Sequence, residues 1–83
     1  MSNKRLKLKI MLPTGKGFEG EVLRASFPGA KGRFAIHPGH APFMSTLHAG
    51  VIKYTTPDEW NDGFKIDGGM IHVEHDTITV CAE

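Results

Sequence analysis

The chain has 83 residues, room for one small domain that withdraws only about 60% of its unfolded surface from water. Ten basic and nine acidic side chains leave a formal net charge of +1, so no global field draws the protein onto nucleic acid or anionic lipid, and partners must be recognised by local shape. A single cysteine, Cys81, excludes an internal disulfide and suits a reducing compartment; no run of ~20 apolar residues is present to span a bilayer, which leaves membrane association that is peripheral or through a partner.

The N-terminal stretch MSNKRLKLKIMLP starts with positive charge, but lysines interrupt its apolar residues and it lacks the continuous core of a secretory leader. Leu6, Leu8, Ile10 and Leu12 alternate with Lys7, Lys9 and Met11, the period of a half-buried strand. Residues 13–17 then turn the chain. Arg5, Lys7 and Lys9 form a basic stripe without interleaved aromatics, read as the guard of an edge strand rather than as a phosphate contact.

In FEGEVLRASF the apolar set sits at Phe18 and Val22 and then changes parity to Leu23, Ala25 and Phe27. Such a change of face requires a bulge or corner, with Gly20 the permissive place nearby. Pro28 and Gly29 suit the centre of a type II turn, after which residues 33–36 form a short strand. Beyond them, residues 43–47 and 51–56 read as extended pieces separated by Gly50, and PDEWNDG makes a polar loop before residues 64–66. Gly68 and Gly69 break the chain again. Ile71 and Val73 pair with Ile78 and Val80 across a tight turn at His75 and Asp76. Glycines and prolines arrive too often for helices, so the reading is a single all-β domain over residues 1–83, a sandwich or flattened barrel of two antiparallel sheets.

The most unusual stretch is HPGHAP, residues 37–42. Its histidines invite a metal site shared with His72, His75 or Cys81, but the spacing matches no paired-ligand pattern and no carboxylates cluster beside it. Turn and strand histidines are the expected outcome, and no metal or cofactor is assigned. Ser26 and Ser45 lack a flanking base, so no catalytic residue is nominated, and Cys81 reads as an inert thiol on the terminal strand. Trp60 either anchors an interface or folds over the sandwich. The two prolines around Gly39 fix a rigid, mostly apolar knuckle that loses little entropy on docking.

The residues GRFAIHPGHAP, FEGEV, GVIKY and IDGGMIHVEHDTITVCAE stand in an order that resembles the N-terminal domain of the epsilon subunit of bacterial F-type ATP synthase, over nearly the full chain. The run Gly32, Phe34, Ile36, Pro38, Gly39, His40, Ala41, Pro42 carries the resemblance most specifically. It implies a ten-stranded β-sandwich that catalyses nothing and sits on the cytoplasmic side of the membrane, peripheral, within the ATP synthase complex. It further implies a central-stalk role, linking the gamma subunit to the c-ring so that proton-driven rotation reaches the catalytic head. Carried over residue by residue, the c-ring contact falls on Gly32, Arg33, Phe34 and His40, and the gamma contact on His40, Ala41, Pro42 and Phe43.

Two departures from that family stand out. Where it often has a glutamate after the glycine, this chain has Arg33 beside Lys31, so either the ring's partner loop differs or Arg33 points elsewhere, and the expectation is a compensating acidic partner on the ring. The family also usually continues into two C-terminal helices, and this chain ends at Glu83 where they would begin; as a natural short form it is expected to couple without that helical brake. The alternative from another class is a free-standing β-barrel binding module for nucleic acid or metal. Near-neutral charge and aromatics at core positions count against nucleic acid.

Overall fold

The computed structural model describes residues 4–83; the part of the N-terminal reading that covers Met1, Ser2 and Asn3 lies outside them. Nine strands follow one another without a helix among the described residues: β1 (Leu6–Leu12), β2 (Gly15–Val22), β3 (Arg24–Gly29), β4 (Gly32–Ile36), β5 (Phe43–Leu47), β6 (Gly50–Thr55), β7 (Asn61–Ile66), β8 (Gly69–Glu74) and β9 (Thr77–Ala82). The hydrogen-bonded order is β2-β1-β9-β8-β5-β3-β6-β7, with β4 paired to β3. One layer holds β2, β1, β9, β8 and β5, the other β4, β3, β6 and β7, and the ladder between them is the single pair Gly29 and Leu47. The expected all-β sandwich is therefore present, with nine strands where the resemblance implied ten.

One pairing is not antiparallel. The first strand runs parallel to the last, with Leu8 opposite Ile78 and Ile10 opposite Val80. Parallel neighbours need a long crossover, and here the rest of the domain is that crossover. This placement also overturns the edge-guard reading of the lysine stripe, because β1 lies between β2 and β9. Arg5 and Lys7 instead reach glutamates on β2, Glu21 at 3.1 Å and Glu19 at 3.9 Å.

The core between the layers is what the alternation dictates. Leu6, Leu8, Ile10, Ile71, Val73, Ile78 and Val80 face Ala25, Phe27, Ile36, Ile52 and Tyr54 in one buried cluster. Each fully buried Leu, Ile or Phe side chain contributes about 2 kcal/mol relative to exposure. The edge strand β2 also meets the other layer, for Phe18 of β2 lies 4.7 Å, centroid to centroid, from Tyr54 of β6.

Two turns, a corner and a bulge fall elsewhere than the sequence reading put them. The first turn is only Pro13 and Thr14, and Gly15 already belongs to β2. The parity change is made at Leu23, between β2 and β3, where the Leu23 N–H donates to the Thr55 carbonyl at 2.7 Å. The bulge is at Gly17, since Ile10 pairs with Phe18 and Met11 with Lys16, while Gly20 pairs normally with Leu8. Pro28 and Gly29 lie inside β3, and the turn is at Ala30 and Lys31. A proline fits there because β3 changes neighbours at that point: pairing with β6 ends at Ser26 and pairing with β5 begins at Gly29, so no ladder needs the missing N–H.

The last hairpin is as expected. Its two-residue turn, His75 and Asp76, has both φ angles positive, 53° and 58°, the conformation that matches the twist of the flanking strands.

Candidate functional site

HPGHAP connects β4 to β5 as a tight turn followed by an extended exit. The His40 N–H donates to the His37 carbonyl at 3.2 Å, with Pro38 and Gly39 between them. Gly39 has φ 86°, so proline precedes a positive-φ glycine as a type II turn requires. A tether from the other layer fixes the turn in space. The Gly39 N–H donates to Asp76 Oδ1 at 2.7 Å, and the Asp76 carbonyl accepts from the Lys7 N–H at 2.8 Å. Asp76 thus holds β1 and the knuckle at once. Sequence reasoning treated it only as a turn residue, since no local pattern links position 76 to position 39.

Behind the turn, aromatic rings run in a row from core to surface. Phe27 stacks on Phe34 at 5.7 Å, Phe34 meets Phe43 edge-on at 5.2 Å, and Phe43 meets the His40 ring edge-on at 5.7 Å. Offset and edge-on pairs of this kind contribute about 1 kcal/mol each beyond their buried area. His40 Nδ1 is also 2.7 Å from the Ala41 carbonyl, which sets the ring's orientation. His40, Ala41 and Pro42 stay exposed, while Phe34 and Phe43 are half-buried.

Of the residues singled out from sequence, the fold gathers Phe34, His40 and Phe43 on one side of β4 and β5, next to Ala41 and Pro42. Gly32 and Arg33 begin β4 at the adjacent hairpin. Arg33 takes the opposite side of the sheet from Phe34, as alternation demands. Its guanidinium lies across β3, donating from Nη1 to Ser26 Oγ at 2.9 Å and from Nη2 to the Val51 carbonyl at 2.5 Å. Arg33 and His40 therefore belong to two different surfaces.

The remaining candidates are scattered. His72 and His75 each lie 3.6 Å from a carboxylate oxygen of Glu74. Among the described residues no three His, Cys, Asp or Glu side chains come together as a metal ion needs. Cys81 is exposed on β9, between Met11 and Met70 of the neighbouring strands. Trp60 does not fold over the sandwich; it is 71% exposed.

The β-sandwich domain of the ATP synthase delta/epsilon chain, as a family model, matches residues 5–83. The chain belongs to this family. Proteins named ATP synthase epsilon chain are similar to it: that of Nitratiruptor sp. is 37% identical over 94% of this chain and 60% of its own length. The epsilon chain of Campylobacter hominis is 40% identical over 94% of this chain and 61% of its own length. That of Chlorobium limicola is 39% identical over 87% of this chain and 82% of its own. The chain thus spans about 60% of the first of these epsilon chains.

Among solved structures, a chain in the mitochondrial ATP synthase of Euglena gracilis, an OSCP/F1/c-ring assembly, superposes with a TM-score of 0.87 at 16% identity. That match covers 94% of this chain and 50% of the other. A chain in the central stalk and c-ring of the Tetrahymena thermophila mitochondrial enzyme gives 0.78 at 12% identity, covering 99% and 66%. At such identities the likeness is one of fold.

Proposed function

We propose that the protein is a non-catalytic rotor subunit in the central stalk of a proton-translocating F-type ATP synthase, joining the gamma subunit to the membrane c-ring. Membership of the delta/epsilon family over residues 5–83 carries the reading. On this reading the protein is peripheral at the cytoplasmic face of a bacterial membrane and works by transmitting torque. A transmitting piece must not deform under load, and the geometry supports that: the knuckle is closed by its own turn and tied by Gly39 to the opposite layer at Asp76. Docking such a preset surface costs little ordering entropy.

The two contacts overlap on the aromatic side of β4 and β5, where Phe34 and His40 stand, while Arg33 takes the opposite side of the sheet. His40, Ala41, Pro42 and Phe43 form the gamma contact, with the Phe43 ring as a half-buried base and His40 as an exposed hydrogen-bonding edge. Gly32, Arg33 and Phe34, with His40 at the margin, form the c-ring contact at the β3–β4 hairpin end. There the Arg33 fork, held by Ser26 and Val51, presents a fixed positive charge that an acidic group in the ring loop complements.

The test is reconstitution with the gamma subunit and detergent-solubilised c-ring of the same organism. Co-elution of all three in one peak is expected; elution of this protein apart from both partners overturns the proposal.

A further inference from the structure

The outer face of β3, β4, β6 and β7 carries charge that the chain does not neutralise. Arg24, Lys31, Arg33, Lys53 and Lys65 stand on these strands and the β3–β4 turn, and among the described residues none of them forms an ion pair with a carboxylate. In the other layer, Arg5, Lys7 and Lys16 all reach Glu19 or Glu21, at 3.1 to 3.9 Å. Lys9 apart, the cations of β1 and β2 have carboxylate partners and those of the layer of β3, β4, β6 and β7 do not.

Register gives this face its shape. Ala35, Ser26, Lys53 and Gly63 form one row across the four strands. Three of the four are small, so the row is the floor of a groove of about 650 Å³ with Lys53 rising from it. Arg24, His37 and Asn61 wall one side and Val51 the other.

A separate feature stands at the Thr55–Asn61 end, where the β6–β7 loop presents Trp60. The loop is locked: the Thr56 N–H donates to the Trp60 carbonyl at 2.8 Å, the Trp60 N–H to Thr56 Oγ1 at 3.1 Å, and the Glu59 N–H to the Thr56 carbonyl at 2.7 Å. An exposed indole on a preset loop is the composition of an interface anchor.

We propose that this groove is a docking site for an extended, acidic segment of a partner protein, whose carboxylates meet Lys53 and Arg24 and whose apolar side chain rests on Trp60. The inference stands on the charge and shape of this face and does not depend on the rotor assignment. A nucleic acid is the poorer fit. Asp58 and Glu59 flank Trp60 in the loop and Asp62 lines the groove next to Gly63; these acids repel a polymer charged at every unit, while a single indole is not the series of stacking rings that a single strand uses. A peptide satisfies both ends by placing acids at one and an apolar residue at the other.

The probe is the synthetic peptide acetyl-EEEGLL-amide, titrated into the ¹⁵N-labelled protein at low salt, with acetyl-KKKGLL-amide and octathymidylate as comparators. Expected are shifts gathered at the amides of Ser26, Ala35, Lys53 and Gly63 and at the Trp60 indole N–H. Lys53→Glu weakens binding about ten-fold or more, while Lys9→Glu, on the other layer, changes it less than about two-fold. No response at millimolar peptide, shifts centred on Lys7 and Lys9, or tighter binding of octathymidylate or the lysine peptide each overturns the proposal.

Discussion

The Gly39 N–H donates to the Asp76 carboxylate at 2.7 Å across 37 positions of sequence, so the β8–β9 turn sets where the β4–β5 knuckle stands. Asp76 also has φ 58°, which an alanine adopts at a cost of about 1–2 kcal/mol. Asp76→Ala is therefore expected to lose about 2 kcal/mol of stability and to speed hydrogen exchange at the Gly39 amide. Asp76→Asn keeps an acceptor and tolerates the left-handed conformation, so it loses less than about 1 kcal/mol. Urea denaturation and exchange rates of the two variants check this.

Gly69 opens β8 at φ 147°, and a Cβ placed there would collide with the backbone of Cys81 and Ala82 on β9. Gly69→Ala must push apart the two strands that carry Ile71, Val73, Ile78 and Val80, and about 3 kcal/mol of stability goes with it. A thermal midpoint within 2 degrees or so of the parent would be inconsistent with this packing.

Tyr54 is the single tyrosine of the chain, so its titration is readable by absorbance. Burial, and then the charge and hydrogen bond of Asp62, push its pKa above 10.0. The phenol is favoured in the folded state; its contribution is complete below the unfolded pKa of about 10 and is lost as pH rises through the folded value. Asp62→Asn is expected to bring the titration midpoint down only in part, because burial is the larger cause.

Arg33 is held by Ser26 and Val51 and faces the surface with its positive charge. Arg33→Glu removes both hydrogen bonds and reverses the charge. Weaker crosslinking to the c-ring of the same organism is the expected outcome, and association that is unchanged or tighter would remove the case for an acidic ring loop.

The elements legible in the sequence are those specified by local chemistry. Leu6, Leu8 and Ile10 alternate with lysines and do face the core; His75 and Asp76 form the turn their spacing implied. What sequence could not give depends on distant neighbours. Gly20 is the permissive residue near the parity change, yet it pairs normally with Leu8; the change is made at Leu23 between β2 and β3, and the bulge of β2 stands upstream at Gly17, where the register against β1 sets it. Pro28 and Gly29 have turn chemistry, and β3 still runs through them, since a change of neighbouring strand there frees the proline from donating. The lysine stripe looked like an edge guard because nothing in residues 5–9 foretells that β9 will dock alongside. In the candidate site, the turn itself was visible in HPGHAP, whereas its tether to Asp76 and the separation of Arg33 from His40 onto two surfaces came only from the fold.

The central claim is tested most directly by calorimetric titration of this protein against the gamma subunit of the same organism at moderate salt, with His40→Ala and Phe43→Ala beside the parent. A one-to-one complex is expected. His40 is exposed, so His40→Ala should weaken the complex while shifting stability by no more than about 0.5 kcal/mol; Phe43→Ala should weaken it and cost about 2 kcal/mol of stability as well. Absence of binding to a well-folded gamma subunit, or equal affinity for all three forms, would contradict the account.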